Sequence, residues 1–230
     1  MSQHRGLTGQ SIALVAVFAA FIAAASMVPG IELLGGVPLT LQTFAVVLAA
    51  LVLGPWRGLA AVAVYLLMGL FLPVFAGRAS GLEVLVGPSG GYLIGFLLAA
   101  VVVGGLAQLG ARMGRLRGSV RATFWLVGSG LVSIPVIYAV GAPWLAYRLG
   151  LPMLPGPDCS GLLDIDCASG VTLGVVPFIP GDILKVVVAG IVAAAIHRAY
   201  PGLLGAARRV TAASSAAPSD QEDEAARATA

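Results

Sequence analysis

GGYLIGFLLAAVVVGGLAQL, Gly90–Leu109, runs for twenty residues without a charged side chain. A membrane-spanning helix needs ~20 mostly apolar residues, so this stretch has the length and the composition of one span. Five further segments read the same way: Ser11–Val28, Leu39–Leu53, Gly58–Phe75, Ala122–Leu149 and Phe178–Tyr200. The span at Leu39–Leu53 is short, at 15 residues. The preceding Gly35-Gly36-Val37-Pro38 is therefore expected to enter the membrane as non-helical backbone shielded by protein. The span at Ala122–Leu149 is long and carries Pro135 and Pro143, which predicts a kink or an extension beyond the bilayer. Ala23-Ala24-Ala25 would suit a signal-peptide cleavage site, but the apolar run before it is longer than a usual signal core.

Composition agrees. Of 230 residues, 59% are hydrophobic and 10% charged, where a soluble domain carries about 25% charged residues. A mean hydropathy of +0.99 leaves too little polar surface for a water-facing exterior, so lipid is the solvent. The 31 glycines fit helices that pack closely through small residues. A net charge of +3 does not signal nucleic acid, because the basic residues sit at the ends of apolar segments and orient them. One side holds Arg5, Arg57, Arg112, Arg115, Arg117, Arg121, Arg198, Arg208 and Arg209, the other Arg78 and Arg148, nine against two. The chain is thus expected to be an all-α, polytopic bundle of six transmembrane helices with both termini cytoplasmic. Residues 1–10 form the N-terminal segment and 11–200 the transmembrane domain. Residues 201–230, Ala/Ser-rich and then acidic at Asp220, Glu222, Asp223 and Glu224, form a tail expected to be disordered.

Ionisable residues inside the spans are rare, and an ion at the bilayer centre costs about 2.5–3.5 kcal/mol on insertion scales, so each is a functional candidate. Asp182 and Lys185, in Pro180-Gly181-Asp182-Ile183-Leu184-Lys185, stand out. Pro180 suits the first helical position. Asp182 then falls in the first turn, where the helix dipole favours an anion, and Lys185 shares its face. A carboxylate accepts and an ammonium donates, so the pair suits a cyclic urea or amide. The residues alone leave a local ion pair equally open. Thr40, Gln42 and Thr43 place hydrogen-bonding groups at a span entrance, where Thr40 also suits helix capping. Arg78 lies in a Gly/Pro-flanked outer loop that could fold back as a lid; it is either a partner for a substrate carboxylate or a solvated charge. Ser89 and Tyr92 follow in Gly87-Pro88-Ser89-Gly90-Gly91-Tyr92, where Tyr92 reads more readily as an interfacial anchor than as a ligand contact. Ala16, Ala20 and Ala24 recur every four residues as a stripe for close helix contact, internal or with a partner.

Cys159 and Cys167 share an outer loop, where a disulfide is chemically favoured. No His/Cys/Asp/Glu cluster has metal-ligand spacing, so no metal is expected. No GxxxxGK[ST] occurs, so ATP hydrolysis by the P-loop route is excluded for this chain. Gly128-Ser129-Gly130 lacks a base for serine chemistry: His4 precedes the first span and His197 ends the last. An intramembrane enzyme or a channel would require a base or a polar pore, and neither is visible.

Five co-linear motifs carry a family resemblance. They are Val37-Pro38-Leu39-Thr40-Leu41-Gln42-Thr43-Phe44, Leu53-Gly54-Pro55-Trp56-Arg57-Gly58, Gly69-Leu70-Phe71-Leu72-Pro73-Val74-Phe75-Ala76-Gly77, Gly87-Pro88-Ser89-Gly90-Gly91-Tyr92-Leu93-Ile94-Gly95-Phe96 and Gly174-Val175-Val176-Pro177-Phe178-Ile179-Pro180-Gly181-Asp182-Ile183-Leu184-Lys185. Together they span about Ser11 to Tyr200 and resemble the BioY family of biotin transporters. The resemblance implies a six-helix S component of an energy-coupling factor (ECF) transporter in the plasma membrane of a bacterial-type cell. Such a subunit captures biotin from outside and docks onto a membrane scaffold subunit carrying two ATP-binding subunits. Biotin is then cargo, with no cofactor and no enzymatic step. The resemblance also implies that Asp182 and Lys185 contact biotin, that Ala16, Ala20 and Ala24 lie at the docking face, and that the outer loop after the third helix helps close the pocket. Asp182 would accept from ureido N–H groups, and Lys185 would donate to the ureido oxygen or to the valerate. Thr40, Gln42, Ser89 and Tyr92 are pocket candidates, and Arg78 is a candidate for the carboxylate. Many members have Thr in place of Ser89, which retains the hydroxyl, and the loop Leu151–Val171 is longer than typical. Another vitamin taken up by a related subunit is the alternative ligand.

Overall fold

The computed structural model describes residues 9–32, 37–116, 119–156 and 167–204. Gly35-Gly36, Arg117, Cys159, the first residues of the chain and the acidic tail lie outside them. The helices among the described residues are α1 (Gly9–Met27), α2 (Gln42–Leu53), α3 (Pro55–Phe71), α4 (Leu82–Val86), α5 (Gly90–Arg112), α6 (Ser119–Leu131), α7 (Ser133–Leu149), α8 (Gly170–Gly174) and α9 (Ile179–Ala199). A short antiparallel ladder joins β1 (Ile31–Glu32) to β2 (Pro38–Leu39). Among the described residues, five helical stretches are long and apolar enough to cross a membrane: Gly9–Met27, Pro55–Arg78, Gly90–Arg112, Val120–Leu149 and Gly170–Ala199. The sixth apolar helix, α2, has 12 residues and reaches only ~18 Å at 1.5 Å per residue.

The expected short second helix starts even later than the sequence implies. The backbone of Pro38 and Leu39 is committed to the ladder with β1, and Thr40 Oγ1 accepts the Gln42 N–H at 3.2 Å, just ahead of the helix. From Ala45 to Leu53 every residue of α2 is buried. It is the central post of the bundle, packed by α1, α3, α5 and α9.

The outer helices α5 and α9 turn many of their small residues inward. On α5 the buried face carries Gly91, Gly95, Ala99, Gly104 and Ala107, while Ile94, Leu98 and Val102 face outward. On α9 the buried face carries Ala189, Gly190, Ala193 and Ala194, and Leu184, Val188 and Ile191 face out. Lipid offers no penalty to large apolar side chains, so close backbone approach decides what goes inside. A Cβ on Gly190 would come within 2.6–2.8 Å of Val127 on α6, including its backbone. On α1, Ala19, Ala23 and Ala25 are buried, while Ala16, Ala20 and Ala24 are exposed.

The expected kink in the long span falls at Val132, between α6 and α7. Pro135 has no N–H for the carbonyl of Leu131, and its ring opposes that carbonyl, so the helix stops and restarts. Pro143 remains inside α7. In α9 the proline comes second, after Ile179.

The α2–α3 turn raises a similar difficulty. Pro55 offers no N–H to the Leu51 carbonyl four residues earlier. His197 Nε2 lies 2.9 Å from that carbonyl; because a carbonyl only accepts, Nε2 is the donor. Arg57 Nε donates to the Leu53 carbonyl at 3.1 Å, and its guanidinium also reaches the Leu203 carbonyl.

Candidate functional site

The opposite end of α2 opens into a cavity of about 700 Å³, within the ~300–1,000 Å³ usual for small-molecule sites. Four regions wall it: the approach to α2, the segment from Phe75 to Ser89, the first turns of α5, and the facing parts of α7 and α9. Asp182, Lys185, Thr40, Gln42, Arg78, Ser89 and Tyr92 all line it, and so does Thr43.

Asp182 is the most constrained charge. It is 5% exposed. Lys185 Nζ donates to its Oδ1 at 3.0 Å, and the Tyr138 hydroxyl donates to its Oδ2 at 2.7 Å. Each carboxylate oxygen holds two lone pairs, so one acceptor position on each remains. The ammonium keeps two further N–H donors. An acceptor and a donor thus sit 3.0 Å apart at the cavity wall, the complement of a cyclic amide edge that presents N–H beside C=O.

The remaining walls hold fewer polar groups. Gln42 Nε2 donates to the Tyr65 hydroxyl at 2.7 Å, which leaves the amide oxygen as an acceptor beside the cavity. Ser89 immediately precedes α5 and makes no side-chain cap bond there. Tyr92 is 7% exposed, which corrects the expectation of an interfacial anchor. Its hydroxyl donates to the Gly174 carbonyl at 2.7 Å, and its ring occupies the space that a side chain at Gly141 would need. The Tyr92 hydroxyl hydrogen is therefore already engaged within the protein.

The Gly/Pro-rich segment after α3 is held against the bundle by Phe75. That ring is 1% exposed and stands edge-on to Tyr65 at 5.6 Å. Gly69 opens the space it fills. Beyond it, Gly77 and Arg78 take φ of 67° and 60°, a left-handed conformation costly for a non-glycine residue. The Arg78 N–H bonds to the Phe75 carbonyl at 3.0 Å, and the side chain lines the cavity.

Tyr138, Phe75 and Phe178 belong to this site without having been singled out from the sequence. A tyrosine in the middle of an apolar span is a usable signal, since a buried phenol finds a hydrogen-bond partner. Elsewhere, Ser129 Oγ bonds back to the Trp125 carbonyl at 2.7 Å, as a helix serine does without a catalytic role. Among the described residues no metal-binding cluster occurs. Cys167 is disulfide-bonded; Cys159, its expected partner, lies outside the described residues.

The model of the BioY family matches residues 1–202. "Biotin transporter BioY" of Rhodobacter capsulatus is 40% identical over 198 residues, covering 85% of this chain and 97% of that protein. The protein of the same name in Thermotoga maritima is 39% identical over 161 residues, covering 70% and 80%. A crystal structure of the S-component for biotin from an ECF-type ABC transporter superposes with a TM-score of 0.69 at 24% identity, covering 86% of this chain and 95% of that one.

Proposed function

The chain belongs to the BioY family, and we propose that it captures biotin from the outer side of a bacterial plasma membrane as the S component of an ECF transporter. It is a transporter and not an enzyme, and biotin is its cargo. The observation that carries the reading is the Asp182–Lys185 ion pair, 3.0 Å between Nζ and Oδ1, at the wall of the cavity, with further acceptor and donor capacity on both groups. Asp182 accepts a ureido N–H and Lys185 donates to the ureido oxygen. Gln42, Thr40 and Ser89 supply further polar contacts, and Tyr92 contributes its ring face. Arg78, on the wall formed by the segment from Phe75 to Ser89, takes the valerate carboxylate. A dry site makes each unpaired polar group cost about 1–3 kcal/mol, which disfavours ligands without the ureido ring. Isothermal titration with biotin and a panel of other vitamins is the direct test; absence of biotin binding overturns the reading.

Residues 11–200 form the transmembrane domain, with α2 and its extended approach as the short sixth span and both termini cytoplasmic. The arginine distribution supports this orientation. Residues 201–230 form a cytoplasmic tail, and Cys159 pairs with Cys167 outside the membrane. Energy comes from a partner scaffold and its ATP-binding subunits. The face that meets the scaffold is the one carrying Ala16, Ala20 and Ala24, three exposed small residues that recur every four positions on α1. Ala20→Leu should leave biotin titration unchanged and abolish copurification of the scaffold. Undiminished copurification would move the docking face elsewhere.

A further inference from the structure

We propose that Tyr138 is the positioning residue of this site: by donating to Asp182 Oδ2 at 2.7 Å it sets the plane of the carboxylate that receives the ligand. The inference rests on the ligand reading given above and adds a residue to it.

Lys185 and Asp182 lie three residues apart on one helix, so on its own the lysine holds one oxygen and leaves the carboxylate free to turn. Tyr138 approaches from α7, which packs mainly on α5 and only slightly on α9. Its hydroxyl takes the second oxygen from a different direction, and with both oxygens held the carboxylate cannot turn without losing a bond. The phenol is itself restrained. Its ring, 8% exposed, stands edge-on to Tyr92 at 6.4 Å and 80°, and Tyr92 is tied to the Gly174 carbonyl. A turned carboxylate would separate the free acceptor from the neighbouring lysine donor, and the match to an N–H beside a C=O would be lost. Because the phenolic hydrogen points to Asp182, the phenolic oxygen offers only acceptor positions. This wall therefore favours a ligand rich in N–H donors.

Tyr138→Phe keeps the ring and removes the donor. In ligand-free protein, the carboxylate stretching bands that vanish in Asp182→Asn should shift in Tyr138→Phe; unshifted bands overturn the proposal. In titrations, Tyr138→Phe should bind biotin about thirtyfold more weakly, the effect of one hydrogen bond to a charged group. In an Asp182→Asn background the same substitution should change affinity by about twofold or less. Affinity near wild type in the first case, or an equal loss in both backgrounds, overturns the proposal. If wild-type protein ignores biotin, the ligand assignment fails, and the infrared bands still decide the role of Tyr138.

Discussion

Asp182 and His197 stand at opposite ends of α9, and each is 5% exposed. Burial does not distinguish them. Hydrogen bonding does. His197 Nε2 meets the one carbonyl, Leu51, that Pro55 leaves without a helical donor, and Arg57 closes the carbonyls beside it. That end is sealed against itself. Asp182 holds two donors as well, yet it borders a cavity and keeps acceptor positions that no protein group fills. In a membrane protein, where polar groups are scarce, unoccupied hydrogen-bonding positions at a cavity mark the site better than burial does.

The comparison predicts different consequences at the two ends. Asp182→Ala should weaken biotin binding by more than about a hundredfold in titration, because the ligand loses a charged acceptor and the partly buried Lys185 is left without its partner. Binding within tenfold of wild type would show that the unoccupied positions at Asp182 are not where the ligand sits.

Arg78→Gln should act at the other wall with a smaller effect, about tenfold for biotin, the loss of a charge-assisted contact. Biotin amide, which has no carboxylate, should be affected twofold or less by the same change. An equal loss for both ligands would remove Arg78 from the carboxylate and leave it as a support of the segment after α3.

Much of this was legible in the residue order. Span positions follow from apolar length, and the break at Val132 follows from Pro135. Asp182 and Lys185 stand out because charge within a span is costly. Other features lie in distances that no sequence window contains. Tyr138 and Asp182 are 44 residues apart, and Gln42 and Tyr65 are 23 apart. Which face of each helix turns inward is also hidden, because lipid removes the polar stripe that marks a soluble helix. Glycine and alanine are frequent on the buried faces of α5 and α9, but on α1 alanines fall on both faces, Ala19, Ala23 and Ala25 inside and Ala16, Ala20 and Ala24 outside. The interfacial reading of Tyr92 failed for a related reason: a ring needs room, and Gly141 and Gly174 supply it from two other elements.

The smallest effect on binding is expected at the sealed end, and there it carries the most information. His197→Phe retains a flat ring but removes the donor to Leu51. A buried carbonyl left unpaired costs about 1–3 kcal/mol, so the thermal midpoint of the protein in detergent should fall. Biotin affinity should stay within about twofold, because His197 stands at the end of α9 opposite Asp182 and lines no part of the cavity. His197→Gln, whose amide can donate, should recover part of the stability. If His197→Phe instead weakens biotin binding tenfold while the protein remains folded, the two ends are energetically coupled through α9. The sealed end would then belong to the transport cycle and not only to the scaffold.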